Sequence, residues 1–209
     1  MIVTEVWESQ PGAFFCISTK SRNGQWQDKF FRRKDLNRVE AYIKANLDKD
    51  VYWCPHGFAK PRRLKDYAQM PSLLWADLDE ANPVGMTPQP TIAWESSPGR
   101  YVALWETETK VNESLNRRLT YHVGADPGGW DVTQVLRVPG TNNYKYPHAP
   151  SVKLLWKDGP VYSVDEIEAA LPKDATDETT FGEAMKIYRR YERHLTHFCR
   201  REILKGKPK

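Results

Sequence analysis

Cysteine is scarce in this chain, three in 209 residues. Cys16, Cys54 and Cys199 lie far apart and form no C-x-x-C pair, which excludes a disulfide framework and a zinc knuckle. His56 stands near Cys54, but no second Cys/His pair lies close by, so a zinc site is set aside. No run of about 18 apolar residues occurs, which argues against a membrane-spanning helix. The N-terminal MIVTEVWESQPG carries acidic residues where a signal peptide carries basic ones. These absences predict a cytoplasmic protein with no membrane partner. An internal repeat is also lacking. What is present, 40% hydrophobic and 12% aromatic residues, suffices for one substantial core or two small lobes sharing an interface.

Charge is modest in sum and uneven in distribution. The net charge is +4, yet residues 186–209 alone hold nine Lys/Arg against two Glu, a local +7 that leaves the remainder near −3. Such a segment fits a phosphate-backbone contact, because each cation that neutralises a phosphate releases a counterion. A solvated helix end fits equally well.

Local patterns predict alternating strands and helices. Residues 13–19 and 26–32 are aromatic-rich and flank an Asn23-Gly24 turn, which reads as a hairpin. Asp35 stands as an N-cap before Leu36, Val39, Ile43 and Leu47, predicting a helix over 36–48. Further strands are expected at 50–58, 73–78, 91–95, 101–105, 135–138 and 152–156. A helix is expected at 110–123, where Val111, Leu115, Leu119 and Val123 recur every four residues. Ser163 with Glu166 makes a capping box for a short helix through Leu171, and Thr180 with Glu183 makes a second one after a polar linker. The second helix carries Phe181, Met185, Tyr188, Leu195 and Phe198 near one stripe. Hairpins with interspersed helices indicate an α+β fold.

The chemistry-bearing pattern begins with Leu73-Leu74-Trp75-Ala76-Asp77-Leu78-Asp79, an apolar strand ending in two carboxylates one residue apart. Residues i and i+2 of a strand share a face, so Asp77 and Asp79 project together. Two like charges that close are unfavourable unless a cation sits between them. Mg²⁺ or Mn²⁺ takes oxygen ligands and suits such a pair for phosphoryl transfer. By itself, a strand end with two solvated acids is the commoner meaning of Asp-x-Asp. A second segment, Trp130-Asp131-Val132-Thr133-Gln134-Val135-Leu136-Arg137-Val138-Pro139-Gly140-Thr141-Asn142-Asn143-Tyr144-Lys145, sets an acid before a strand and a Pro-Gly-Thr-Asn turn bracketed by cations.

That segment resembles the third motif of the archaeo-eukaryotic primase superfamily, in its phage and plasmid primase-polymerase branch, where an Asp precedes an Arg-x-Pro-Gly-Thr-x-Asn-x-Lys loop. The strand ending at Asp79 resembles the family's first motif, and the resemblance covers about residues 50–146 in the family's order. It implies a catalytic core built on an RNA-recognition-type sheet (about 71–172), packed against an N-terminal α/β lobe (about 1–70). Together these make a catalytic domain over 1–172, followed by a linker and basic helix over 173–209. Asp77 and Asp79 resemble the first-motif metal ligands and Asp131 the third acid. Asp126, in the turn-like Gly124-Ala125-Asp126-Pro127, competes with Asp131 for that role. The family's second motif is a Ser-x-His hairpin; the matching stretch 95–105 has no histidine, which leaves Ser97 and Arg100 as the nucleotide-contacting candidates. Arg137, Asn143 and Lys145 are expected in the same cleft, with a structural pairing of Arg137 to a core Asp as the alternative.

The activity so implied is that of a DNA primase and polymerase in phage or plasmid replication inside a bacterial host. A 3′-hydroxyl would attack the α-phosphate of a nucleoside triphosphate on a single-stranded DNA template, with Mg²⁺ or Mn²⁺ as cofactor. A helicase, fused or separate, would be a further partner. A metal-dependent nuclease and a non-catalytic single-strand-binding or replication-initiator module stay open as alternatives. Arg62-Arg63-Leu64-Lys65, together with Tyr52 and Trp53, is either a nucleic-acid track or a solvated basic loop.

Overall fold

The period-two patterns of the sequence become two four-stranded antiparallel sheets. A computed structural model describes Met1–Leu171; the linker, the capping box at Thr180 and Glu183 and the basic stretch 186–209 lie outside the described residues. The chain runs α1 (Ile2–Ser9), β1 (Phe14–Lys20), β2 (Trp26–Arg32), a 3₁₀ turn at Arg33–Arg38, α2 (Val39–Lys44), β3 (Asp50–Phe58) and a second 3₁₀ turn at Lys65–Tyr67. It continues with β4 (Leu73–Asp79), β5 (Ile92–Ser97), β6 (Arg100–Glu106), α3 (Glu113–His122), β7 (Leu136–Arg137), β8 (Lys153–Trp156) and α4 (Val164–Ala170). The first sheet has the order β2-β1-β3-β7 and the second β4-β6-β5-β8. With four α-helices beside them among the described residues, the fold is α+β as expected. No helix among the described residues is long and apolar enough to cross a membrane.

Two cores follow from the alternation of side chains along the second sheet. Leu73 and Trp75 of β4, Ile92 and Trp94 of β5, and Val102 and Leu104 of β6 face the first sheet, where Phe15, Ile17, Val51 and Trp53 meet them. The intervening residues Leu74, Ala76, Leu78, Ala93, Ala103 and Trp105 pack under Leu115 and Leu119 of α3 and Ile167 of α4. Trp7, Trp53, Trp75, Trp94 and Trp105 are all fully buried. Each such ring removes on the order of 200 Å² from water, so these five side chains are the largest individual contributors to the hydrophobic stabilisation.

Two elements differ from the sequence-based expectation. The segment 36–48 is not one helix capped by Asp35: it is a 3₁₀ turn followed by the six-residue α2, and Asp35 lies inside the turn. The reason is Arg33, whose guanidinium donates to the carbonyls of Gly12 (3.2 Å), Glu8 (3.3 Å), Trp7 (3.4 Å) and Gln10, pinning the chain as soon as β2 ends. The helix α1 was not anticipated. Its Ile2, Val3, Val6 and Trp7 form one apolar face, and the Trp7 indole N–H donates to the Cys54 carbonyl at 2.7 Å, seating the helix on β3.

β4 is an edge strand, and its outward backbone groups would be costly if left unpaired in the interior. Asn116 of α3 accepts from the Trp75 N–H at 2.8 Å and donates to the Trp130 carbonyl at 3.1 Å. The Asp126 N–H donates to the Asp77 carbonyl at 2.9 Å. Asn116→Ala should therefore strand a buried N–H at a cost of about 1–3 kcal/mol. That corresponds to a fall of roughly 3–10 °C in the thermal midpoint, read by calorimetry beside the exposed control Ser114→Ala.

Candidate functional site

The inter-sheet core ends where β4, β6 and β7 reach their tips, and there a cleft of about 450 Å³ opens. Asp77 occupies the same face of β4 as Leu73 and Trp75, but at the point where apolar neighbours give way to the cleft. A register shift follows between Asp77 and Asp79, and Asp79 sits at φ +51°, a left-handed conformation that Asp tolerates better than most side chains. Leu78 stays in the helix-side core. Both carboxylates line the cleft, reached through a bulge rather than through plain strand alternation.

The hairpin between β5 and β6 supplies the facing wall. Ser97 pairs with Arg100 across Pro98 and Gly99, and Gly99 has φ +72°, the position of a type II turn that needs a glycine. The Gly99 N–H is held by Glu95 Oε1 at 2.9 Å. The turn sets Ser97 and Arg100 side by side on the cleft wall. Arg100 bridges the acids: one nitrogen pairs with Asp79 and the other with Glu80 at 3.0 Å.

The third wall comes from the first sheet and the loop after β7. Arg137 lines the cleft with its Nη1 2.5 Å from Asp50 Oδ1 and its guanidinium 4.6 Å from the Tyr52 ring centroid. Asp50 also accepts from the Tyr144 N–H at 2.8 Å. Asn143 is buried and donates to the Ser96 carbonyl at 2.9 Å, tying the loop to the β5–β6 hairpin. Lys145 and Tyr146 complete the rim. The structure thus brings Asp77, Asp79, Ser97, Arg100, Arg137, Asn143 and Lys145 together.

Asp131 does not join them. Its carboxylate pairs with Lys65 Nζ at 2.5 Å and accepts from the Thr133 N–H at 2.7 Å and hydroxyl at 2.6 Å, and it is absent from the cleft lining. Asp126, whose N–H holds the Asp77 carbonyl, sets a further negative charge near Asp77 but likewise lies outside the cleft lining. Burial pushes the Asp77 carboxyl up from 3.8 to about 6, helped by the charges of Asp79 and Asp126 and opposed by Arg137. Proximity along the chain to the Arg137 strand points to Asp131; the backbone contact of the 124–129 loop with β4 instead brings Asp126 into electrostatic reach of Asp77. Among the described residues no three of His, Cys, Asp and Glu gather closely enough to hold a metal ion.

Other candidates from the sequence fall away or change role. Trp53 is fully buried and cannot stack on a nucleic acid. Arg63 is spent on Asp28 at 3.1 Å and the Thr133 carbonyl at 2.8 Å, and Lys65 on Asp131 and Glu113. His56 is buried, and desolvation lowers it to about 4. Cys16 and Cys54 are buried free thiols. Tyr52, by contrast, belongs to the cleft, and its alternation with the buried Val51 and Trp53 is the signal that places it on the opposite face.

Residues 58–169 match the family described as RepB DNA-primase N-terminal domain, just over half of the chain. No curated protein matches the sequence. Among solved structures, the chain is similar to primase RepB′ (TM-score 0.57, 18% identity, 92% of this chain and 66% of that one). It is also similar to the catalytic domain of primase RepB′ in complex with initiator DNA (TM-score 0.56, 18% identity, 90% and 96%). The primase domain of a cyanophage S-2L primase-polymerase aligns as well (TM-score 0.60, 10% identity, 82% and 95%). At these identities the likeness is one of fold, and the chain spans 66% of the length of the first RepB′ structure. The matched segment carries Asp77, Asp79, the β5–β6 hairpin and the loop through Lys145, and the chain belongs to the RepB DNA-primase N-terminal domain family.

Proposed function

We propose that this domain is a template-dependent nucleotidyltransferase that joins nucleoside triphosphates on single-stranded DNA. The observation that carries this reading is one polar cleft in which the Asp77 and Asp79 carboxylates stand with Arg100, Arg137 and Lys145. Acids alone would suit many metal-dependent hydrolyses; acids with several cations suit a triphosphate, whose charge needs more than one partner.

The residues present fit a divalent cation such as Mg²⁺ or Mn²⁺. Asp77 has no ion-pair partner among the described residues, and its raised pKa reflects a carboxylate buried beside others. Mg²⁺ is commonly held by one or two carboxylates plus substrate phosphates and water, which matches two ligands better than the expected Asp triad. Asp77 and Asp79 would hold it, and bound there it would lower the pKa of the attacking 3′-hydroxyl and neutralise developing phosphate charge.

The chain's own groups divide the remaining work. Arg100, freed from Asp79 when a cation takes that carboxylate, offers a planar pair of donors to a phosphate and takes the place of the family's second-motif histidine. Lys145 adds an exposed, unbranched cation on the rim. Arg137, fixed by Asp50 and Tyr52, presents a guanidinium that cannot swing away. Asn143 holds the loop to the hairpin, so the two walls keep their spacing as the nucleotide enters.

Wild-type protein with a single-stranded template, labelled nucleotides and Mn²⁺ or Mg²⁺ should produce extended or new strands. DNA binding without any synthesis would leave a binding module, and template cleavage without triphosphates would leave a nuclease. Asp77→Ala with Asp79→Ala should abolish synthesis, a loss of more than about 10³-fold, with template affinity retained. Arg100→Ala should raise the apparent KM for nucleotide; an unchanged KM would return Arg100 to a purely structural pairing.

The acid pair also makes a stability prediction. The folded pKa of Asp77 lies above its ordinary value, so the protonated form favours the fold, and that contribution is lost as pH rises from about 4 through about 6. Asp77→Asn stays neutral and should stabilise the metal-free protein at pH 7.5 by on the order of 2 kcal/mol, with the gain vanishing near pH 4. Thermal melts with Mn²⁺ should then raise the midpoint of wild type and leave that of Asp77→Asn unmoved.

A further inference from the structure

The outer face of the first sheet carries an aromatic and cationic row that ends inside the cleft. Lys20 of β1 lies opposite Trp26 of β2, and Tyr52 of β3 lies opposite Arg137 of β7. The Trp26 ring leans across β1 onto Tyr52, with centroids 4.9 Å apart and planes 36° apart. Arg137 covers the Tyr52 ring from the other side at 4.6 Å, and Lys20 Nζ lies 5.4 Å from the Trp26 ring. All four strands of the sheet contribute one member.

Trp26 is 46% exposed, whereas each of the other seven tryptophans is buried or half-buried. A large apolar ring left open on a surface, with a preformed stack beneath it, asks for a further planar group. The charge around it favours a polyanion: Lys20 and Arg22 stand at the outer end, with the Arg22 guanidinium 4.7 Å from the Tyr144 ring, and Lys145 stands at the cleft. The acids of this face are already neutralised, Asp28 by Arg63 and Asp50 by Arg137. Its inner end, Tyr52 and Arg137, is the wall of the cleft itself.

The geometry points to this row as the path by which single-stranded DNA template enters the cleft, with a base stacked on Trp26 and the phosphates tracked by Lys20, Arg22 and Lys145. The inference rests on the nucleotidyltransferase reading for the destination of the strand. The partner is single-stranded because only unpaired bases offer their faces to a protein ring, and stacking of this kind tolerates any sequence. Duplex DNA would meet the cations but leave Trp26 unused.

The test uses the full chain and a fluorescent, unstructured single-stranded oligonucleotide, with anisotropy read over a range of salt. Trp26→Ala should weaken binding about fivefold or more, the loss of one base stack, while the slope of affinity against salt stays that of wild type because no phosphate contact is removed. Trp26→Phe should recover most of the affinity. On a pre-annealed primer at saturating template, Trp26→Ala should keep the wild-type kcat. Equal affinity of Trp26→Ala and wild type overturns the path, as does a change of oligomeric state in place of a change in DNA binding, which would make Trp26 a contact between copies. Wild type that binds DNA through Trp26 yet joins no nucleotides would overturn the catalytic reading alone, and Asp77→Ala with Asp79→Ala, silent in synthesis and normal in binding, separates the two.

Discussion

Two cores compete for the side chains of β4, and the site exists because one of them ends before the other. Leu74, Ala76 and Leu78 are held under the helices to the end of the strand, so β4 cannot rotate or slip without exposing them. On the opposite face, Leu73 and Trp75 are enclosed by the first sheet, and the next residue in that row is Asp77. A carboxylate there is tolerable only because the sheets have begun to part. Continuing apolar packing by one more residue would fill the cleft; ending it one residue sooner would set the acid in open solvent with an ordinary affinity for protons. The position of Asp77 is thus a by-product of how far two layers stay in contact.

Much of this was legible in the sequence, for identifiable reasons. The hairpins announced themselves through turn residues whose backbone needs are strict, Asn23-Gly24 and Pro98-Gly99, and through strands whose alternation survives in both sheets. The family motifs named residues that the fold does bring to one cleft. Asp131 and Asp126 show where this kind of reading stops. Only five residues separate them, and the choice depends on which loop packs against the edge of β4 and on Lys65 arriving from elsewhere to occupy Asp131. The short helix α1 was hidden because it spans eight residues and has no side-chain cap. The Arg33 clamp that breaks the 36–48 pattern consists of bonds to carbonyls more than twenty positions away, which no local window contains.

Several cleft residues serve the architecture and the opening at once. Arg137 is anchored by Asp50 and Tyr52, Asn143 by Ser96, and Asp50 gathers both Arg137 and the Tyr144 backbone. Fixed partners of this kind limit the rearrangement required when a ligand arrives. Arg100 is the counterexample, since its guanidinium is held by the exposed acids Asp79 and Glu80. The cleft therefore combines rigid walls with one arm free to change partners.

The return of β7 to the first sheet has a consequence for how the chain is made. Arg137 pairs with Tyr52 across 85 positions of sequence, and the strands of the second sheet are synthesised in between. On a ribosome, β1, β2 and β3 emerge first with one broad apolar face uncovered until β4, β5 and β6 follow, and the edge of β3 at Tyr52 and Trp53 stays unpaired until residue 137 has cleared the exit. Non-local closure of this kind is slow and leaves an edge open to other chains. Nascent chains released before β7 would carry three strands of the first sheet with the β3 edge open at Tyr52 and Trp53, the stretch at which another chain could add a strand.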